Sequence, residues 1–469
     1  MRVTTILIIL LDVRNELEYS RDEEDIINTS RCVFAIPDDL FCTEMFSNRC
    51  TLYSRDPTEY YCFPTAAIIL FLFLVHISST FYYLWIGEEP NIFAMISLTS
   101  VAVYIYLIFF LLTFVLVQSV FRLIFHMNSK HFRFLSIFFF TLSLKTEISF
   151  VWSCNKFILL QVSHDCVNFR LLVANELSNR IFAVLLAVVF VLAGLWVTLL
   201  PPAVRRITIK IDNLPEVQKG FTVALLSDLH IGPTVGCSKI QKMVNTINLF
   251  KPDVIAISGD LADGLVPNLE KAAYPLMNLT SKYGIYFATG KEYILLIARE
   301  LVPVIGNHEY LHGNVDEWFV FLKKIKIIPL HNKNKKILVG NSRICIAGSD
   351  DLFAEQSRFS GHVMDYKKAL RGCNKNDTTI MLIHQPNAVR IILNDVETAK
   401  NIDLILSGHT HGGQMYVFVP LVYFWNAYFR GLYYNKATGT YVYVSAGVNY
   451  FGPPVKIFDG NEIIIIKLV

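Results

Sequence analysis

The 469-residue sequence is short of charge. Only 17% of its residues are Asp, Glu, Lys or Arg, against about 25% in ordinary soluble domains, and its mean hydropathy is +0.43. That composition argues against both a disordered chain and a wholly soluble enzyme. The charges that are present nearly cancel, 42 Lys+Arg against 39 Asp+Glu for a net +3, so there is no electrostatic footprint for nucleic acid and none is expected as a partner. The nine cysteines include no C-x-x-C pair, which argues against a thiolate zinc site or a thioredoxin-type redox motif. Four of them, Cys32, Cys42, Cys50 and Cys62, crowd the N-terminal segment 1–64, where disulfides are compatible with the spacing.

What the chain has instead is long uncharged runs. Residues 65–86 carry no acidic or basic side chain apart from His76, and residues 92–121 carry none. Each exceeds the ~20 residues that cross ~30 Å of hydrocarbon, which predicts helices over 65–86 and 92–117. A third run, 181–200, stops at Pro201-Pro202, and a weaker one, 134–152, contains Lys145 and Glu147. Soluble core helices seldom stay uncharged this long, so residues 65–200 read as a transmembrane region of three to four helices, followed by a linker at 201–218. The opening run Ile6 to Leu11 is too short to span, and no small-residue cleavage site follows it. Basic residues at Arg122, Lys130, Arg133, Arg205, Arg206 and Lys210 place the C-terminal domain in the cytosol by the positive-inside rule. The cysteine cluster and the Asn28-Thr29-Ser30 sequon suit an oxidising lumen instead. A transporter or channel is disfavoured, because Lys145, Glu147 and His76 are too few to outline an ion path.

After Pro202 the texture changes to apolar runs of five to seven residues between amphipathic segments, the pattern of a layered α/β or αββα domain. Thr222 to Ser227 reads as a buried strand delivering Asp228-Leu229-His230 to the loop beyond it. Val254 to Ser258 ends in Gly259-Asp260, Val302 to Ile305 in Gly306-Asn307-His308-Glu309, Ile380 to Ile383 in His384, and Ile402 to Ser407 in Gly408-His409-Thr410-His411-Gly412-Gly413. Ligands gather at the carboxyl ends of strands in such sheets. Oxygen and imidazole donors without sulfur suit Mn²⁺, Fe²⁺, Zn²⁺ or Mg²⁺. Seven candidate ligands, Asp228, His230, Asp260, Asn307, His384, His409 and His411, are too many for one tetrahedral ion and match two ions sharing a carboxylate. His76, His312, His331 and His362 fall outside these strand ends and read as structural.

Asp-x-His, Gly-Asp, Gly-Asn-His-Glu, a single His and Gly-His-x-His, in that order over about residues 219–469, resemble the calcineurin-like metallophosphoesterase superfamily. The openings Ser227 to Gly232 and Gly408 to Gln414 resemble its membrane-attached branch. The resemblance implies an α+β architecture, with N-terminal multi-pass transmembrane helices followed by a metallophosphoesterase αββα sandwich. It further implies one metal on Asp228, His230, Asp260 and His411, and a second on Asp260, Asn307, His384 and His409. A metal-bridging hydroxide would then attack phosphorus in line, and catalytic His308 would protonate the leaving group. The expected function is a membrane-anchored hydrolase of a phosphomonoester or phosphodiester. The aromatic stretch Tyr423, Phe424, Trp425, Tyr428 and Phe429 hints at a lipid-linked substrate. The alternative is a catalytically silent membrane scaffold that keeps the fold.

One departure interrupts the pattern. Tyr283 to Gly290 has the texture of the strand that should run into Asn-His-Glu, yet residues 291–306 intervene. Excising them would leave Phe-Ala-Thr-Gly-Asn-His-Glu, the junction the family would have. Three origins fit: a tolerated insertion in which Leu301 to Ile305 replaces the strand end, a lineage-specific loop, or an unspliced segment.

Overall fold

Two of the uncharged runs form helices, as their length demands. The computed structural model describes residues 86–126, 176–289, 315–354, 360–457 and 460–469, all within one compact unit of residues 74–293 and 305–469. The candidate spans 65–86 (save its last residue) and 134–152, the insert 291–306, Asn307 and His308 lie outside the described residues.

Helix α1 (Ile92–His126) and helix α2 (Glu176–Leu199) are each long and apolar enough to cross a bilayer. They run antiparallel: the rings of Phe114 and Phe182 lie 6.0 Å apart and those of Tyr106 and Phe190 5.5 Å apart, so residue numbers rise along one helix as they fall along the other. Small residues, Ala102 and Ala187, are buried in their seam, which lets the backbones approach. Leu112, Leu116, Leu185 and Val189 are exposed on the outer faces, where water would be a poor solvent for them.

Twelve strands are described: β1 (Ala203–Ile209), β2 (Thr222–Leu226), β3 (Val254–Ser258), β4 (Ile285–Ala288), β5 (Ile327–Pro329), β6 (Lys333–Val339), β7 (Ser342–Gly348), β8 (Thr378–Leu382), β9 (Leu404–Ser407), β10 (Gly431–Asn435), β11 (Thr440–Val444) and β12 (Glu462–Leu468). They form two six-stranded sheets, ordered β1-β12-β2-β3-β4-β5 and β10-β11-β9-β8-β7-β6. Strands β2 to β5 are mutually parallel, as are β7, β8, β9 and β11, while β6 and β10 are antiparallel edges of the second sheet and β12 runs antiparallel to β2 inside the first.

Side-chain alternation builds the layers. Val223 and Leu225 of β2 pack between the sheets with Ile346, Leu382 and Leu404. Their neighbours Ala224 and Leu226 face an outer layer of helices α3 (Cys237–Asn248), α4 (Val266–Ala273) and α5 (Val315–Lys324), with Met243, Leu269 and Trp318. Helix α6 (Pro386–Asn394) covers the second sheet, setting Val389 and Ile392 on Met381 and Ile405. Because the central strands are buried on both faces they read as continuous apolar runs, and each fully buried Leu or Ile contributes ~1.5–3 kcal/mol. The result is the αββα sandwich expected from the sequence. Strand β4 occupies the slot between β3 and β5. That strand is Ile285–Ala288, and residues 290–314, with the stretch Leu301 to Ile305, lie outside the described residues.

The helix pair is fastened to this sandwich at the start of α1 and the close of α2, which the antiparallel arrangement brings to one end. The Glu88 carbonyl accepts from Cys237 N at 2.9 Å and the Glu89 carboxylate from Ser238 N at 2.8 Å, so an acidic side chain caps the N-terminus of α3, where it opposes the helix dipole. At the far end of α2, Thr198 Oγ1 donates to the Pro454 carbonyl at 3.1 Å, and Lys239 Nζ to the Thr198 carbonyl at 3.2 Å. Gly194 packs so tightly there that a Cβ would come within 2.2 Å of a Val455 methyl. A disulfide joins Cys345 of β7 to Cys373. Such bonds persist in oxidising compartments, the opposite placement to the cytosolic one that Arg205, Arg206 and Lys210 favour.

Candidate metal centre

Strands β2, β3, β8 and β9 release their chains at one edge of the sandwich. The loops they feed are tightly wound. Ten non-glycine residues among those described have left-handed φ, and five of them are candidate ligands: Asp228 (+56°), His230 (+46°), Asp260 (+48°), His409 (+76°) and His411 (+49°). L-residues hold that conformation only where the surroundings impose it, and such residues cluster at functional sites. Gly408 shows how close the loops come, since a Cβ there would lie 2.5 Å from Asp228 Oδ2.

The structure brings Asp228, His230, Asp260, His384, His409 and His411 together, all of them buried. Asp260 Oδ2 lies 3.3 Å from His384 Nε2 and 3.6 Å from His230 Nε2, so one carboxylate oxygen faces imidazoles from two loops. His411 Nε2 lies 3.4 Å from Asp228 Oδ1 and 3.0 Å from His230 Nε2. The ring of His409 stands 5.3 Å from that of His384, and its backbone N–H donates to both Asp228 oxygens at 3.0 and 3.2 Å. At this site two groups of donors are compact enough to hold an ion, Asp228, His230 and His411, and Asp228, Asp260 and His384; among the described residues His331, Asp350 and His362 form a third such group away from it.

The donor chemistry fits divalent metal. His384 Nδ1 donates to the Ser258 carbonyl at 2.7 Å, which leaves a lone pair on Nε2 in the neutral ring, and that buried atom faces Asp260 Oδ2 at 3.3 Å. His230 is oriented the same way, with Nδ1 2.7 Å from Asp263 Oδ1. An imidazole whose second nitrogen is held by a carbonyl or carboxylate is the usual form of a metal-ligating histidine. Burial opposes charge on His384, but Asp260, Asp228 and Asp351 together lift its pKa well above the ordinary value. Burial, then His230 and Lys456, hold His411 well below it. A proton and a divalent cation thus compete for the same cavity of oxygen and nitrogen lone pairs.

Sequence reasoning missed the residues around these ligands. Asp263, three residues after Asp260, had only its proximity to the Gly-Asp motif as a signal. Asp351 accepts from Gln385 Nε2 at 2.6 Å, and burial pushes its carboxyl up to about 7. Lys456 is fully buried, its pKa pushed down to about 7 by burial, with Nζ donating to the carbonyls of Ala446 at 2.6 Å, Gly447 at 3.3 Å and Asn449. Arg430 packs over Gly412, 3.2 Å from where a Cβ would lie, and its buried Nη1 has no hydrogen-bond partner. His331 and His362, read as structural, flank the buried Asp350: His331 Nδ1 is 2.7 Å from Oδ1 and His362 Nδ1 is 3.4 Å from Oδ2. Asn307 and His308 lie outside the described residues.

Residues 221–413 match the calcineurin-like phosphoesterase family. A Caenorhabditis elegans protein named as a metallophosphoesterase is 44% identical over 403 residues, 86% of this chain and 73% of that protein. The Danio rerio transmembrane protein with metallophosphoesterase domain is 33% identical over 404 residues, 86% of this chain and 79% of its own. A solved dimetal phosphatase from Danio rerio covers 53% of this chain and 93% of its own at 11% identity and a TM-score of 0.33, a superposition too distant to add to the assignment. On the strength of the two long sequence matches, the chain belongs to the calcineurin-like phosphoesterase family and is a hydrolase of phosphoric ester bonds.

Proposed function

We propose that the chain is a membrane-anchored phosphoesterase that holds two divalent ions, of Mn, Fe, Zn or Mg, and hydrolyses a phosphomonoester or phosphodiester. The observation that carries this reading is the approach of His384 Nε2 and His230 Nε2 to the same Asp260 oxygen. Asp228, His230, Asp260 and His411 would hold one ion, and Asp260, Asn307, His384 and His409 the other. Bound there, the ions would supply an activated water and neutralise charge on the phosphoryl oxygens. The protein's part is to keep the donors in place: Asp263 fixes the His230 ring, the Ser258 carbonyl fixes His384, and the His409 amide holds the Asp228 carboxylate. Arg430, a cation beside the His411 loop, is assigned to bind the phosphoryl group, and His308 to protonate the leaving oxygen.

Membrane attachment is supported by α1 and α2, and the Danio rerio relative's name agrees with it. The chain leaves the sandwich after Glu89, runs out along α1, and returns along α2 to Thr198, so this pair crosses out and back. A silent scaffold with the same fold is the competing reading.

Full-length protein in detergent, supplied with Mn²⁺, decides between them with an aryl phosphodiester and an aryl phosphomonoester. Asp260→Ala and a version lacking residues 291–306 are run beside it. Turnover by the intact chain that Asp260→Ala abolishes supports the enzyme and shows that the insert is tolerated. Turnover only after excision assigns the loss to the insert, and none in either form contradicts the proposal.

A further inference from the structure

Residues 414–429 contain no Asp, Glu, Lys or Arg. Their centre is helix α7 (Val419–Trp425), and none of its residues is buried. Tyr423 is 63% exposed, Phe424 80% and Trp425 49%. Three adjacent large aromatics turned outward mark a surface that has a partner.

The aromatics are held rigidly. Before the helix, Gly413 packs on Val419, where a Cβ would meet its side chain at 2.7 Å. After it, Asn387 clasps the chain from α6, with Nδ2 donating to the Trp425 carbonyl at 3.1 Å and Oδ1 accepting from Ala427 N at 3.0 Å. Tyr423 also rests against Phe429, ring centres 6.0 Å apart.

What covers the surface is indicated by what it continues. In the turn leading into α7, Tyr416 N donates to Tyr106 Oη of α1 at 3.4 Å, and the Tyr416 ring meets Phe190 of α2 edge-on at 5.7 Å. Met415 is buried in the seam of the pair with Ala102 and Ala187. The segment that carries Leu421, Tyr423, Phe424 and Trp425 is therefore joined to the helix pair through Met415 and Tyr416, with no charged residue between them in the sequence.

We propose that α7 is seated in the headgroup layer of the bilayer that α1 and α2 cross, as an interfacial aromatic anchor. This inference rests on the membrane reading above. Aromatic rings favour the boundary between hydrocarbon and water, and a short uncharged helix lying beside spanning helices gains by burying its rings there. A protein partner would be expected to meet a rim with charged residues, which residues 414–429 lack. Because the His411 loop precedes α7 and Asn387 follows His384 by three residues, seating α7 fixes the metal loops at the membrane surface.

Tryptophan quenching tests this in full-length protein reconstituted into phosphatidylcholine vesicles in which part of the lipid carries brominated acyl chains. All forms carry Trp85→Phe and Trp152→Phe, which removes the two tryptophans of the other uncharged runs, and Trp425→Phe and Trp196→Phe are compared with that parent. Trp196 reports α2, and Trp318, fully buried in the sandwich, serves as the unquenched internal reference and a check on folding. The expected result is a quenched, blue-shifted component that Trp425→Phe removes. Quenching that only Trp196→Phe removes overturns the seating of α7 and leaves the membrane reading standing. Quenching unchanged by either variant, or absent from the parent, overturns both.

Discussion

Asp260 Oδ2 and His384 Nε2 stand 3.3 Å apart, both fully buried, while the opposite nitrogen of the imidazole is committed to the Ser258 carbonyl. A neutral ring therefore points a lone pair at a carboxylate. In a low-dielectric site that juxtaposition is stable only with a positive charge between or beside the two atoms. A proton on His384 meets the need in the metal-free chain, and a divalent ion meets it while also engaging His230, which faces the same oxygen at 3.6 Å.

Asp263→Ala should weaken metal binding without removing a ligand. The His230 ring would lose the carboxylate that fixes its tautomer, and changes of this kind typically cost about 10–100-fold in metal affinity or activity. Titrating activity against Mn²⁺ should show the midpoint displaced to higher concentration by that factor, with the protein still folded by circular dichroism. An unchanged midpoint would mean that Asp263 does not position His230.

Gly194→Leu should loosen the helix pair from the sandwich. A Cβ at 2.2 Å from Val455 and 3.2 Å from Lys456 N cannot be absorbed by rotating one side chain, and overpacking of this kind costs about 1–3 kcal/mol. The thermal midpoint in detergent should fall, and proteolysis between α2 and β1 should accelerate.

The Asp350 pair gives a pH dependence of stability. Burial opposes charge on His362, but Asp350 and Asp316 raise its pKa in the folded chain. Its contribution is therefore present below the unfolded value of about 6.5 and is lost as pH rises through the folded value. Asp350 is shifted the other way: burial raises it, the two imidazoles outweigh burial, and its pKa falls. Its contribution is present above the unfolded carboxylate value and lost as pH drops through the folded one. Chemical denaturation of the parent should show stability declining between pH 6 and 8, roughly the window where a raised histidine titrates, and His362→Gln should flatten that decline. An equal slope in the variant would contradict the assignment.

The Cys345–Cys373 bond closes a loop of 28 residues, and on chain-entropy grounds removing it should cost about 3.6 kcal/mol. Alkylation of protein taken directly from cells, denatured without reductant, should leave both cysteines unmodified. If both alkylate, the bond is absent, and the basic residues Arg205, Arg206 and Lys210 then set the cytosolic side.

The sandwich and most of the site were legible because strand ends carry local signals. Val223 and Leu225 announce a strand buried on both faces, and Asp228, Asp260, His384, His409 and His411 follow such runs at once. The partners that orient the ligands were not legible, because Asp263 reaches His230 from 33 residues away and the Ser258 carbonyl reaches His384 from 126, contacts that only the assembled sheets create. The seat of the helices on the sandwich was likewise hidden, since Gly194 and Thr198 look like ordinary apolar-helix residues until Val455 and Pro454 are brought against them. Asn307 and His308 carry motif signals as clear as the others, but the insert separates them from β4.

The most direct test is metal stoichiometry. Full-length protein, stripped with chelator, reloaded with Mn²⁺ and separated from free ion, should retain two equivalents per chain by elemental analysis, and Asp260→Asn should retain fewer, because in the proposed arrangement both ions share that carboxylate. Fewer than two in the parent, or an equal content in the variant, would contradict a paired site bridged by Asp260.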